Sequence, residues 1–253
     1  MADDGLVRGR VILRRLLLAL CAVGALLAVA HFAFAAWSHN LISEPEAIVA
    51  MQSAQLARHG WLYYDLATYP YTVCAYMPVF YFLVAGLVKV GAPVLLAGRL
   101  ISFLAFAGIV VLVWRMVLLY TKEANCALMA AGLALSTQLW LAWGTTGQVD
   151  PLAICLTLAG FFEYARFDKE GRQGSLTRAA LLAIAALFTK QTALAAPLTI
   201  FLLLAMKNRI AALRYGLIVA GGGGLLGNDL NSPGSSASAM WRKPGRMTSS
   251  DPG

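Results

Sequence analysis

The sequence predicts an all-α protein: a polytopic bundle of transmembrane helices with about seven membrane crossings and a helical outer loop after the first. Three observations predict it. Of 253 residues, 60% are hydrophobic and only 13% are charged, against about half and a quarter in an ordinary soluble domain. Apolar runs recur along the chain, several of them long enough to cross about 30 Å of hydrocarbon. The basic residues gather between those runs, where the signals that orient a membrane protein sit. The formal charge of +8 is therefore read as a topology signal and not as a nucleic-acid surface. No nucleic acid is expected as a partner; membrane lipids are.

The first run, Leu16–Trp37, follows Arg8, Arg10, Arg14 and Arg15. Ala33-Phe34-Ala35 resembles a cleavage signal, but the run is longer than the roughly 7–15 apolar residues of a signal peptide. A retained helix with a cytoplasmic N-terminus is predicted, in an integral membrane protein. The outer loop then covers about residues 38–94. Within it, Ser43 to Arg58 reads as a helix. Ser43 with Glu46 three residues on is a capping box, and Gly60 suits the left-handed position after the last turn. Trp61-Leu62-Tyr63-Tyr64 and Tyr69-Pro70-Tyr71 favour a membrane–water boundary.

Met77–Val90 is apolar but short for a crossing at about 1.5 Å per residue. If it crossed, the loop with Arg115 and Lys122 would fall outside. If it lies on the outer interface, the N-terminus, Arg115–Lys122, Arg166–Arg178 and Lys207–Arg214 are all cytoplasmic, which satisfies the positive-inside rule. A juxtamembrane helix is predicted. The remaining runs are Leu95–Leu112, Ala124–Trp143, Pro151–Tyr164, Ala179–Phe188, Ala193–Met206 and Ile210–Leu226. Residues 1–226 thus form the membrane domain, with a last helix weakened by Gly221–Gly224. Residues 227–253, rich in Gly, Ser and Pro, are predicted to be disordered.

This topology brings Glu44, Glu46, Asp65, Asp150 and Lys190 to the outer face. Ionisable groups in such a chain either act or anchor an end, and each candidate has a structural alternative. Glu46 fits a capping role. Glu44 has no such duty and is either a solvated charge or a general base. Asp150 before Pro151 is a helix-start signal; alternatively it binds a sugar hydroxyl, a basic side chain or a metal. Lys190, beside Gln191 and Thr192, either snorkels or contacts a phosphate as a point charge. Arg99 either anchors its helix or aids the phosphate. Cys21, Cys126 and Cys155 lie in apolar runs and Cys74 stands alone in the loop, with neither CxxC nor zinc spacing. No phosphate loop, GxSxG or HExxH occurs.

Six segments in order carry a resemblance. They are Ser43-Glu44-Pro45-Glu46, Gly60-Trp61-Leu62-Tyr63, Tyr76-Met77-Pro78-Val79-Phe80-Tyr81, Gly98-Arg99-Leu100-Ile101-Ser102, Gln148-Val149-Asp150-Pro151-Leu152 and Phe188-Thr189-Lys190-Gln191-Thr192. Over roughly Arg14 to Arg214 the chain resembles the polytopic GT-C glycosyltransferases that use lipid-linked sugars. The similarity is to the bacterial branch related to protein mannosyltransferases and aminoarabinose transferases. The resemblance implies transfer of a sugar, with inversion, from a polyprenyl-phosphate donor to a glycan, lipid or protein acceptor on the outer face. It implies Glu44 or Glu46 as the base, Asp150 as the second acid and Lys190 at the phosphate, with Gln191, Arg99 and Tyr76 as further substrate contacts. No cofactor is specified; a divalent metal is left open. Two features depart from the family: its first-loop acid is more often Asp, and its members continue through further membrane helices, so a C-terminally truncated chain is expected. The competing readings are a transporter or flippase-like protein, and an inactive fragment of the transferase.

Overall fold

The computed structural model describes residues 2–38, 40–60, 62, 74–137 and 143–231. Most of these are helical, and no strand occurs among them. The helices are α1 (Ala2–Trp37), α2 (Glu44–His59), α3 (Pro78–Lys89), α4 (Val94–Thr121), α5 (Ala124–Ser136), α6 (Val149–Glu170), α7 (Gln173–Leu187), α8 (Ala195–Lys207) and α9 (Arg209–Asn231), with a 3₁₀ turn at Gln191–Leu194 before α8. Two of them are long and apolar enough to cross a membrane: α1, over Val11–Trp37, and α4. The apolar helices α3, α5 and α7 are shorter, as is the Gln191–Lys207 segment that contains α8.

Small residues set the packing. α1 meets α5 where Gly24 lies against Leu135 and Gly132 against Cys21, whose thiol donates to Leu128 O at 3.4 Å. Phe32 stacks on Phe103 of α4 at 4.4 Å. Gly108 of α4 leaves room for Cys155 of α6, and Gly160 of α6 faces the Ala179 carbonyl of α7. One core cluster joins α6–α9 through Ala179, Ala180, Ala183, Ala211 and Ala212, filled by Tyr164, Leu176, Ile200, Leu204 and Tyr215. Helices that approach on alanine and glycine gain van der Waals contact without needing an aqueous hydrophobic drive, which is how membrane helices associate.

The helix predicted over Ser43 to Arg58 forms as α2. Ser43 Oγ accepts the Glu46 N–H at its start, and Gly60 (φ 76°) closes it. α3 is 12 residues, about 18 Å long. Its first turn is tied to the end of α7, where the Val79 N–H donates to Phe188 O at 3.0 Å. Its last turn leads through residues 90–93 into the start of α4. Both ends of α3 therefore sit at one end of the bundle, and α2, α3 and the first turns of α4 and α6 share a second core around Val49, Leu56, Phe80, Val84, Ala97 and Val149. At the opposite end, Lys169 lies 4.9 Å from the Tyr120 ring, Lys207 pairs with Asp168 at 2.8 Å, and Arg166, Arg172 and Arg178 pair with Glu163 and Glu170.

Three expectations shift. α6 begins at Val149, with Gln148 as N-cap, so Asp150 is not the capping residue: it lies inside the first turn. α1 starts at Ala2, well before the apolar run. α9 continues through the four glycines to Asn231, beyond the boundary expected at residue 226. The rest of the tail predicted at 227–253, residues 232–253, and the aromatic stretch, except Leu62, lie outside the described residues.

Candidate functional site

The end of the bundle where α3 lies holds two ionic clusters. The first is buried. Arg99, in the first turns of α4, is 0% exposed and Glu46 is 1% exposed. Arg99 Nε donates to Glu46 Oε1 at 2.7 Å and Nη2 to Oε2 at 3.0 Å. The other N–H groups go to backbone carbonyls: Nη1 to Ala35 and to Ser38 (2.6 Å), Nη2 to Asn40 (2.8 Å). A guanidinium carries five N–H donors, and all are engaged. Arg99 thus closes the end of α1 onto the start of α2. As a phosphate contact it is corrected: no donor is left over for a ligand.

Glu46 is equally committed. Besides Arg99 it accepts the N–H of Ile42 at 2.9 Å and of Gly147 at 3.0 Å. The capping box is therefore offset, because the carboxylate returns to Ile42 and not to Ser43. Burial by itself would raise the Glu46 pKa; the Arg99 hydrogen bonds, the two backbone N–H groups and the guanidinium charge outweigh it and hold the carboxyl below its ordinary range. Gly147 reaches Glu46 because its backbone touches that of Gly98: a Cβ on Gly98 would stand 3.3 Å from the Gly147 Cα. Next along the chain, Gln148 Nε2 donates to Ser43 Oγ at 3.2 Å. Ser102, fully buried, accepts the Gln148 N–H at 3.1 Å and donates to its carbonyl at 2.8 Å. These bonds fix the first turn of α6 against α2 and α4. Ser102, Gly147 and the Gln148 amide were missed as site-builders; Ser102 and Gln148 lie inside the motif segments and Gly147 immediately precedes one.

The second cluster is more open. Lys190 Nζ donates to Asp150 Oδ1 at 2.5 Å, with side chains 23% and 17% exposed. A pair exposed to this degree contributes on the order of 1 kcal/mol or less, so a stronger partner can displace it. Lys190 Nζ also lies 5.5 Å from the Tyr76 ring centre, and Gln191 Nε2 donates to Ala75 O at 3.4 Å. The structure thus brings Asp150, Lys190, Tyr76 and Gln191 together. The ion pair lines one end of a cavity of about 400 Å³ between α6 and the segment leading into α8. Its walls are mainly apolar or small: Ala153, Ile154 and Phe161 on one side, Ala193 and Ala196 on the other, with Thr157 and Thr199 as polar points. Thr157 falls seven residues after Asp150, two helical turns on the same face, and that spacing could have marked it from sequence.

The chain matches no family model, no curated protein and no solved structure. The site's own chemistry therefore carries the functional reading. Glu44, two residues before the buried Glu46 and on a different face of the same first turn, is exposed, and no described residue forms a hydrogen bond or ion pair with it. Ser43, its neighbour, is bonded to Gln148, two residues from Asp150, so Glu44 and Asp150 belong to the same end of the bundle. No group of three or more His, Cys, Asp or Glu side chains suited to a metal occurs among the described residues.

Proposed function

We propose that this chain is an integral membrane glycosyltransferase that moves a sugar, with inversion, from a polyprenyl-phosphate donor to an acceptor outside the cytoplasm. The observation that carries the reading is the Asp150–Lys190 pair at one end of a mainly apolar groove, on the same end of the bundle as Glu44. A lipid-linked phosphate needs a cation at the headgroup and an apolar channel for the chain beneath it. Lys190 and the α6/α8 groove have that arrangement.

In this reading the basic end faces the cytoplasm, as the positive-inside rule requires. The bundle crosses a bacterial inner membrane about seven times, with α3 lying on the outer interface. The helices shorter than about 20 residues cross with local membrane thinning. Lys190 stabilises the charge that develops on the leaving phosphate. Glu44, an exposed carboxylate at this end of the bundle with no partner among the described residues, takes the acceptor's hydroxyl proton as the glycosidic carbon is attacked. Glu46 and Arg99 act through position: they hold the start of α2, and with it Glu44, against the start of α6.

Transfer of a radiolabelled sugar from polyprenyl-phosphate donors in membranes tests this. Glu44→Gln should lower turnover by about 10²–10⁴-fold, the usual contribution of a general base, while membrane insertion and thermal stability stay at the parent level. Lys190→Ala should weaken donor use. Undiminished turnover in Glu44→Gln would remove Glu44 as the base.

A further inference from the structure

The groove at Asp150 and Lys190 has one cation and one acid in its lining. The nearest alternative cation along the motif segments, Arg99, has every N–H engaged elsewhere. An anion drawn into the groove beside Asp150 therefore has Lys190 as its partner. It must then approach a nitrogen that already donates to Asp150 Oδ1 at 2.5 Å, beside a carboxylate of its own sign. The ammonium is a compact point charge, and the Tyr76 ring already occupies part of its surroundings. Like charge at such a separation disfavours binding, so phosphate and carboxylate compete for Lys190.

Resting on the donor reading above, we propose that Asp150 is a selectivity element: an internal competitor for Lys190 that a ligand displaces only when an apolar chain also fills the α6/α8 groove. A free phosphate ion gains Lys190 but loses the Lys190–Asp150 pair and meets the stranded carboxylate, so it is rejected. A prenyl phosphate gains the groove as well. Burial of its chain against Ala153, Ile154, Phe161, Ala193 and Ala196 supplies the excess that exchanges the partners. Once displaced, the Asp150 carboxylate is free to accept a hydrogen bond from a hydroxyl of the bound ligand. Building a repulsive group against the unwanted ligand is a general route to specificity.

The test is binding of farnesyl phosphate to the purified full chain in nanodiscs, with farnesol as the chain-only control and inorganic phosphate as competitor. The parent protein should bind farnesyl phosphate more tightly than farnesol and resist competition by inorganic phosphate. Asp150→Asn should bind farnesyl phosphate about fivefold more tightly, the equivalent of the lost competing pair, and should become sensitive to inorganic phosphate. Asp150→Ser should behave in the same way and guards against a folding defect in the first variant. Combining either change with Lys190→Ala should abolish the gain. If both neutral variants bind farnesyl phosphate equally or more weakly while Lys190→Ala still loses it, the competitor role is overturned and the donor reading stands. If the parent binds farnesyl phosphate no better than farnesol, the donor reading falls and the competitor role falls with it.

Discussion

Glu46 and Arg99 are carboxylate and guanidinium with almost no exposure, and the energetics of such a pair are asymmetric. Forming it from solvated groups gains little, but removing one partner leaves a buried charge and costs about 3–5 kcal/mol. Arg99→Ala should therefore reduce thermal stability by roughly that amount. Arg99→Lys should rescue little of it, because a single ammonium cannot reach both carboxylate oxygens and three carbonyls at once. The pH dependence has a definite sign. With the folded pKa of Glu46 held below its unfolded value, the Glu46 contribution is complete above the ordinary carboxylate range near about 4.3. It is lost as pH falls through the lower, folded value. Thermal denaturation across the acidic range should show the parent losing more of its Tm than Glu46→Gln. Parallel loss in the two proteins would mean that Glu46 has no depressed pKa.

The Gly98–Gly147 contact works between elements: it allows α4 to approach the segment before α6 closely enough for the Gly147 N–H to reach Glu46. Gly98→Val should separate them and cost about 1–3 kcal/mol as an overpacked contact. Gly86→Ala serves as the control. Gly86 lies inside α3 with open space where a Cβ would be, so alanine should stabilise by about 0.5–1 kcal/mol through helix propensity. Melting temperatures of the two variants in detergent moving the same way would show that the Gly98 contact does not hold α4 and α6 together. What sequence could reveal divides at this scale. The limits of α2 were legible because capping is local: Ser43, Glu46 and Gly60 lie within or beside the helix they bound. The start of α6 was not, because proline is tolerated throughout a first turn, whose N–H groups lack intrahelical partners in any case. Asp-Pro therefore marks a helix start only to within a turn. The pairings of Glu46 with Arg99 and Asp150 with Lys190 link positions 53 and 40 residues apart. All four were legible as candidates one by one, but the partner each would choose depends on how α2, α4, α6 and α7 converge, which no local pattern encodes.

At the scale of the whole molecule, α3 ties the topology to the site. Its first turn is bonded to the end of α7 and its last leads into the start of α4, so both ends belong with Glu44, Asp150 and Lys190, while the basic loops lie at the far end. Were α3 to cross a bilayer instead, its two ends would lie in different compartments, and α4 would carry Arg99 away from the end of the bundle where Val79 is bonded to Phe188. Single cysteines read this directly once Cys21, Cys74, Cys126 and Cys155 are replaced. In intact cells a membrane-impermeant maleimide should label positions 44, 75, 89 and 190. Positions 122 and 172 should react only after permeabilisation. Labelling of 75 and 89 from opposite sides would make α3 a crossing helix. The acids and the amine could then no longer share one aqueous face, and the proposed chemistry would lose the proximity on which it depends.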